Sequence, residues 1–342
     1  MTGSQQRQTR RARPRGAAAA LAAAAIAASA ILLAGCESPS ILRSEGSAGN
    51  EIVTLAMWIF GILAIVLITV WVILVFVIVT GRRRREEDAS QTEGDLRIEI
   101  IWTAIPAVIV TVLFILTVVI TNRIDMPARG AQFTAIGRQW WWEFRFKELG
   151  FETANEVYVP VDRMASIDVR SADVIHSFWV PQMGGKVDMI PGRTNHIRFT
   201  PLTVGQYLGE CSEFCGAQHG RMRFLFVVTS PEEYSAWVSQ QQRPAAPPRS
   251  AAAEAGKKAI TSVGCGSCHA IRGIGLEGTF GPDLTHFGSR SGIAAYTLRN
   301  TPENLLRWLE DPQVVKPESL MPRVPLPQQQ YEDLVAYLEQ LT

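Results

Sequence analysis

The stretch GECSEFCGAQHGRM, residues 209–222, concentrates side chains that bind soft metal ions. It holds two cysteines four positions apart, a histidine four positions after the second cysteine, and a methionine three positions further on. In an exported protein, a disulfide between Cys211 and Cys215 is one interpretation, and a zinc site with two thiolates and an imidazole is another. Met222 favours copper over zinc, because a thioether is a soft ligand that copper accepts and zinc rarely takes.

Two copper ions can share this stretch if both thiolates bridge them and each ion also binds an imidazole. His219 supplies one imidazole from within the stretch. The segment ADVIHSFWVP, residues 172–181, supplies His176 from a predicted strand edge upstream. His196 lies in a segment that alternates apolar and polar residues, so we interpret it as an ordinary strand residue.

The order H-S-F-W and then C-S-E-x-C-x-x-x-H-x-x-M resembles subunit II of haem-copper cytochrome c oxidases, whose dinuclear CuA centre lies in a cupredoxin-like domain. The resemblance extends from the first apolar helix to about Val238. It implies six copper-contacting residues, of which Glu213 acts through its backbone carbonyl. The Glu213 carboxylate is then left for a magnesium ion at the junction with subunit I, since hard cations prefer oxygen ligands. The implied copper residues are His176, Cys211, Glu213, Cys215, His219 and Met222.

The motif CGSCH, residues 265–269, is the C-x-x-C-H signature of covalent haem c attachment. In such a motif the thiols of Cys265 and Cys268 bond the haem vinyl groups, and His269 is carried onto one side of the iron. A disulfide or thioredoxin-like pair is the alternative interpretation. It is disfavoured because the histidine follows directly and no βαβ pattern surrounds the motif.

The second axial ligand of this haem has two candidates in the sequence. After His269 the chain offers one methionine, Met321, and one other histidine, His286. The segment LMPRVP resembles the Met-Pro turn that completes the iron in small cytochromes c, which favours Met321 and leaves His286 as a surface loop residue. A methionine and histidine pair raises the haem potential and suits an electron carrier.

Two apolar runs, residues 52–80 and 100–121, each exceed the ~20 residues that cross a bilayer core. The four consecutive arginines at 82–85, between the two runs, belong on the cytoplasmic side by the positive-inside rule. The runs therefore predict a transmembrane hairpin with the rest of the chain outside the cytoplasm. At the N-terminus, arginines, an alanine-rich run and LLAGC resemble a lipoprotein signal that is cleaved to leave a lipidated Cys36. An uncleaved membrane anchor is the alternative.

The remaining segments follow from changes in periodicity and composition. Alternating stretches after the hairpin predict an all-β domain, a Pro- and Ala-rich segment predicts a linker with a reach on the order of 40 Å, and helical spacing returns towards the C-terminus. A linker of this length would let the last domain swing and meet its acceptor in a tethered encounter. The expected multi-domain membrane protein comprises a signal peptide (1–35), a tether (36–50), transmembrane helices (51–80 and 99–121) around a cytoplasmic loop (81–98), a cupredoxin-like domain (125–240), a linker (241–255) and an all-α cytochrome c domain (256–342).

Two further segments resemble functional parts of the same family. GRQWWWEFRF, residues 137–146, resembles an aromatic box in which Trp140 receives electrons from cytochrome c, with Trp141 standing where tyrosine is usual. An ordinary aromatic cluster is the alternative. RIEIIWTAIPA resembles the segment that bears a glutamate at the mouth of a proton channel into subunit I, which implies this role for Glu99. A solvated acidic residue at a helix N-terminus is the alternative there.

The sequence as a whole is expected to be subunit II of a proton-pumping, caa3-type cytochrome c oxidase. Electrons from an upstream cytochrome c or bc-type complex would reach haem c, then CuA, and then subunit I, where oxygen is reduced; subunit III is a further expected partner. The net charge of +1 argues against a nucleic-acid partner, and five histidines are too few for a nitrous oxide reductase. A CuA-bearing subunit of a nitric oxide reductase and a stand-alone membrane electron carrier remain alternatives.

Overall fold

The computed structural model describes residues 40–82, 94–124 and 130–342. Helices α1 (Ser47–Gly81) and α2 (Leu96–Ile124) are long and apolar enough to cross a membrane. Both extend beyond the predicted spans at each end, because polar residues that flank the apolar runs continue the helices. The signal peptide, Cys36 and most of the predicted cytoplasmic loop lie outside the described residues.

The hairpin is attached to the β-domain at the start of α1, within the predicted tether. The Ser47 amide donates to the Thr200 carbonyl at 2.9 Å and the Leu202 amide to the Glu45 carbonyl at 2.9 Å. Gly46 passes so close to the neighbouring chain that a Cβ there would lie 2.5 Å from the Met183 carbonyl oxygen. The first helix therefore leaves the β-domain from a fixed point.

Ten strands form two five-stranded sheets, with strand orders β3-β2-β1-β5-β8 and β4-β10-β9-β6-β7. Each sheet combines antiparallel pairs with one parallel pair, β1 with β5 and β10 with β4. The cupredoxin-like all-β domain expected from the sequence is confirmed. The strands are β1 (Phe133–Arg138), β2 (Trp141–Phe146), β3 (Phe151–Ala154), β4 (Glu156–Pro160), β5 (Ala165–Ser171), β6 (His176–Trp179), β7 (Val187–Met189), β8 (Asn195–Phe199), β9 (Gly205–Cys211) and β10 (Arg223–Thr229).

Aromatic rings fill the space between the two sheets. The ring of Trp142 on β2 lies 5.8 Å from Phe178 on β6 and 4.9 Å from Phe224 on β10, measured between centroids. The Trp142 indole also donates a hydrogen bond of 3.2 Å to the Met222 carbonyl. Gly209 leaves room for this cluster, since a Cβ there would lie 2.1 Å from the Phe224 ring. The core therefore supports the strand ends that carry residues 209–222.

Helix α3 (Pro231–Gln241) closes the β-domain, and four helices follow with two short hairpins, β11–β12 and β13–β14. Thr301 caps the second of these helices, α5 (Pro302–Glu310), as expected, accepting a hydrogen bond of 3.3 Å from the Asn304 amide. The closing helix packs on α4, where Gly256 lies so near the Asp333 carbonyl that a Cβ would come within 1.9 Å. The remaining elements are α4 (Ala251–Ser262), β11 (Ala270–Ile271), β12 (Leu276–Glu277), β13 (Gly292–Ile293), β14 (Leu298–Arg299), α5 (Pro302–Glu310), α6 (Pro312–Val315) and α7 (Gln328–Glu339).

The segment predicted as an extended linker, 241–255, has a different structure. Its last part is helical, because the Ser250 hydroxyl accepts from the Ala253 amide at 3.1 Å and caps α4. Its first part lies along the C-terminal domain, where the Ala245 amide donates to the Arg272 carbonyl at 2.9 Å. Proline and alanine content alone did not reveal these contacts. The expected swinging tether is therefore replaced by a segment packed on the domain that it precedes.

Candidate metal centre and haem cavity

Three side chains converge at one end of the second sheet. The ligand atoms of His176, Cys211 and Cys215 all lie within 4.8 Å of one another. The two sulfurs are 3.8 Å apart, far longer than the ~2.05 Å of a disulfide bond, and among the described residues both cysteines are free. The disulfide interpretation of this stretch is therefore wrong for the structure.

Each of the two sulfurs has two further donor atoms nearby. The Cys211 sulfur lies 3.8 Å from His176 Nδ1 and 3.3 Å from the carbonyl oxygen of Glu213. The Cys215 sulfur lies 3.7 Å from His219 Nδ1 and 3.8 Å from the Met222 sulfur. Each sulfur thus has one imidazole and one further donor beside it. Two soft sulfurs, two imidazoles, a thioether and a carbonyl suit a pair of copper ions better than a single zinc ion.

The strand order explains why distant residues meet here. Strand β9 ends at Cys211 and pairs with both β6, which begins at His176, and β10, which begins just after Met222. The Cys211 amide also donates to the Met222 carbonyl at 3.2 Å, which closes the intervening loop. On the other side of the imidazole, Gly137 is needed for space, because a Cβ there would lie 2.7 Å from the His176 ring.

Asp173 orients the upstream imidazole and was missed in the sequence. Its carboxylate lies 2.7 Å from His176 Nε2, so that Nδ1 faces the sulfurs, and it also accepts from the Gln139 amide at 2.7 Å. Burial opposes protonation of His176, but the hydrogen bonds and the charges of Asp173 and Cys211 together outweigh it and raise the imidazole pKa. The signal in the sequence was an acidic residue three positions before the histidine. Since β6 begins at His176, this spacing places the Asp173 carboxylate next to the start of the strand.

The two thiols share their protons unequally. The hydrogen bond with Cys215 lowers the pKa of Cys211 to about 3, with smaller contributions from His176 and backbone groups. The same bond, together with burial, raises the pKa of Cys215. Because thiolates are the ligands, metal binding has to displace the protons that the two sulfurs hold.

The C-x-x-C-H motif lines a cavity in the C-terminal domain, together with Met321. His269 Nδ1 lies 2.8 Å from the Pro282 carbonyl oxygen and donates to it, which leaves Nε2 as the ligating nitrogen. Burial lowers the pKa of His269, so the ring is neutral, as iron ligation requires. Gly281 packs against the ring, and a Cβ there would lie 2.6 Å from it. These residues fit a covalently attached haem.

The two candidates for the second axial ligand differ in position. Met321 lines the cavity, whereas His286 is absent from the described cavity wall. His286 is buried, and its Nε2 lies 3.1 Å from the Arg243 carbonyl. The expectation that His286 is a surface residue is wrong, because the segment before α4 covers it.

Trp140 lies between the haem cavity and the candidate metal centre formed by the cysteine and histidine donors. It lines the cavity together with Gln139 and Trp141, although all three belong to the β-domain. Its indole donates a hydrogen bond of 3.0 Å to the Cys215 carbonyl, and the Gln139 amide group donates one of 2.8 Å to the same oxygen. Trp141 lies under the Arg138 guanidinium at 5.5 Å instead. One buried ring therefore touches both candidate cofactor sites.

The remaining candidate residues lie on the surface, except for Cys36. The Glu213 carboxylate is half-exposed, 3.7 Å from the Lys186 ammonium. Glu99 is an exposed acidic residue in the first turn of α2. His196 is a strand residue of β8, paired with Asp168 at 2.7 Å. Cys36 lies outside the described residues.

Comparison with known proteins gives matches along most of the chain. Residues 43–120 match the family model for the cytochrome c oxidase subunit II transmembrane domain, residues 147–229 the model for its periplasmic domain, and residues 253–342 the model for cytochrome c. Cytochrome c oxidase subunit 2 of Alkalihalophilus pseudofirmus is 33% identical, over 91% of this chain and 94% of its own length. The protein of the same name from Bacillus subtilis is 30% identical, over 85% and 88%.

Proposed function

Because the chain belongs to the subunit II family of cytochrome c oxidases and carries a cytochrome c domain, we propose that it passes electrons through that domain to the metal cluster and then to subunit I. It is a membrane protein with two spans and an extracytoplasmic β-domain. One observation carries the proposed internal route: the Trp140 ring lines the cavity and donates to the carbonyl of Cys215. The route needs no diffusing carrier between the two sites.

The family implies a CuA centre and a haem c, and the residues fit both groups. When bound, these groups supply reversible one-electron chemistry. The sulfurs of Cys211 and Cys215 and the imidazoles of His176 and His219 would hold the copper. Met222 and the Glu213 carbonyl complete the copper set. Asp173, the strand ends and the core hold these donors, which would keep their positions nearly unchanged on electron transfer.

In the cytochrome domain we assign Cys265 and Cys268 to covalent attachment, and His269 and Met321 to the iron. The bond from His269 Nδ1 to the Pro282 carbonyl fixes the ring and its tautomer, as hydrogen bonds behind metal-ligating histidines usually do. The mostly apolar cavity wall would limit the access of water to the iron, which together with a methionine ligand would raise the reduction potential.

Met321→Ala is expected to convert the haem to a species without methionine ligation and to lower its reduction potential. His286→Ala is the matched control and should leave the ligation unchanged, since its imidazole bonds the Arg243 carbonyl. Absorption and magnetic circular dichroism spectra, with a redox titration, distinguish the two. A change in axial ligation on His286→Ala, with none on Met321→Ala, would overturn the assignment.

Electrons enter the copper site by way of Trp140 in this proposal. Trp141 lines the same cavity, but its ring lies against Arg138 rather than against a copper ligand. We therefore assign the contact with the copper site to Trp140 and part of the cavity wall to Trp141.

Three finer assignments complete the proposal. The half-exposed Glu213 carboxylate would bind a magnesium ion whose remaining oxygen ligands come from subunit I. Glu99, exposed at the start of α2, would stand at the mouth of a proton channel. Cys36 would carry the lipid. Subunit III, and an upstream cytochrome c or bc-type complex as donor, are the further partners.

The complex itself provides the test of this function. Gentle detergent extraction is expected to recover the chain with a haem-bearing subunit I, with copper and haem c in the chain and with oxygen consumption driven by reduced cytochrome c. Recovery of the chain without subunit I would support a stand-alone carrier and contradict the proposal. Nitric oxide consumption without oxygen consumption would contradict it in favour of a nitric oxide reductase.

A further inference from the structure

The cytochrome domain rests on the β-domain through two short segments, residues 291–296 and 315–317. Each side of this contact inserts one charged side chain into the other. Lys316 comes from the cytochrome domain and is 3% exposed, and Glu156 comes from the β-domain and is 4% exposed. Buried charges are costly unless hydrogen bonds satisfy them. The hydrogen-bond partners of these two groups therefore show which residues stabilise the contact between the domains.

The Lys316 ammonium uses all three of its N–H groups. It donates to the Trp140 carbonyl at 2.6 Å and to the Arg221 carbonyl at 2.9 Å, both in the β-domain. Its third bond, of 3.2 Å, goes to the carbonyl of Ala294 in its own domain. Burial lowers the pKa of this ammonium to about 7. The three hydrogen bonds to carbonyls offset part of the free energy that the ammonium loses when water is removed.

The Glu156 carboxylate enters the cytochrome domain at the start of the β13–β14 hairpin. One oxygen accepts from the Ser291 amide at 2.6 Å and from the Ser291 hydroxyl at 2.8 Å. The same oxygen accepts from the Tyr296 hydroxyl. Within the described part of the chain, neither Glu156 nor Lys316 forms a salt bridge. The Glu156 oxygen therefore depends on groups that it meets only when the domains are together, and Lys316 does so for two of its three bonds.

The lysine segment also contacts the loop that carries His219. The Gln218 side chain donates to the Pro317 carbonyl at 2.7 Å, and the Arg221 guanidinium donates to the Val315 carbonyl at 2.8 Å. Residues 315–317 therefore contact the loop that carries His219, and the chain continues from them to Met321 in the haem cavity.

From these contacts we infer that Lys316 and Glu156 form a docking lock, which holds the cytochrome domain in one position with its haem cavity over Trp140. They are positioning residues: Glu156 is absent from the haem-cavity wall, and Lys316, which forms part of that wall, acts here through its bonds to three backbone carbonyls. The inference rests on the proposed internal route, and it adds that the transfer takes place at a fixed distance in a docked state rather than in repeated encounters.

Hydrogen–deuterium exchange on the full chain in its complex tests the lock directly. The Ser291 amide bonds Glu156, and the Arg223 amide bonds the Ala295 carbonyl at 3.3 Å, so both amides report docking. In Lys316→Met and in Glu156→Gln we expect exchange at these two amides to become about tenfold faster, since each variant loses hydrogen bonds of a charged group. Strand β5 should be unchanged.

Lys258→Met, at an exposed position on α4, is the matched control and should behave as wild type. Unaltered absorption spectra of haem and copper establish that each variant is folded. Wild-type exchange rates at both reporter amides in both variants would overturn the lock.

A flash experiment adds a readout that a purely structural role would not move. A photoreductant supplies an electron to haem c, and the step observed then oxidises ferrous to ferric iron while the copper pair gains one electron. We expect a single phase independent of solvent viscosity in wild type, and a slower, viscosity-dependent phase in Lys316→Met. Viscosity-independent transfer at the wild-type rate in that variant would overturn the lock, whereas absence of transfer in wild type would overturn the proposed route itself.

Discussion

Cys215→Ser is expected to abolish the near-infrared absorption of the copper pair and to stop electron delivery to subunit I, while the haem c spectrum persists. The Cys215 sulfur lies within 3.8 Å of donor atoms of Cys211, His219 and Met222. A hydroxyl is a hard, weakly acidic donor and does not replace a bridging thiolate. Loss of supporting groups around a metal already costs about 10–100-fold in affinity, so loss of a bridging ligand should exceed this.

The copper content per chain, the near-infrared spectrum and oxygen consumption measure this effect together. Ser212→Ala, in the same loop, is the matched control, because the described contacts of Ser212 are made by its backbone. Retention of two coppers with an unchanged spectrum in Cys215→Ser would contradict the ligand assignment.

Trp140→Ala is expected to slow transfer from haem c to the copper pair by about 10²-fold, a loss known to follow from misplacing reacting groups by about 1 Å. The indole is the group that lines the cavity and also bonds the Cys215 carbonyl. The backbone carbonyl that accepts from Lys316 remains in this variant, so the docking lock should stay closed.

Flash reduction of haem c followed by copper absorption measures that rate. Trp140→Phe keeps an aromatic ring but loses the N–H donor, so a rate between those of wild type and Trp140→Ala would separate the two contributions. Normal transfer in Trp140→Ala, with intact copper spectra, would exclude the residue from the route.

The parts of the fold that the sequence predicted are those with local causes. Uninterrupted apolar runs produced α1 and α2, alternation produced strands such as β4 and β10, and Thr301 with Pro302 marked the start of α5. The copper and haem motifs were equally local, since the spacing of their cysteines and histidines is itself the chemical signal.

The parts that the sequence did not predict depend on contacts between distant residues. Lys316 and the Trp140 carbonyl are 176 positions apart, and nothing in the periodicity around either one predicts that they meet. The same holds for Glu156 with the hairpin, and for His286, which is covered by a segment whose composition predicted only an extended linker. Asp173 is the intermediate case, close in sequence to its histidine but informative only once the strand edge is known.

The free thiol pair also makes the β-domain vulnerable to oxidation before it holds metal. Cys211 and Cys215 lie in the extracytoplasmic domain, in a kind of compartment where thiols tend to become disulfides. Their sulfurs, 3.8 Å apart, need to approach by only about 2 Å to reach disulfide length. Such a bond would engage both cysteine sulfurs at once and leave neither of them able to bind copper. A reductant that keeps this pair open would therefore favour the loading of copper.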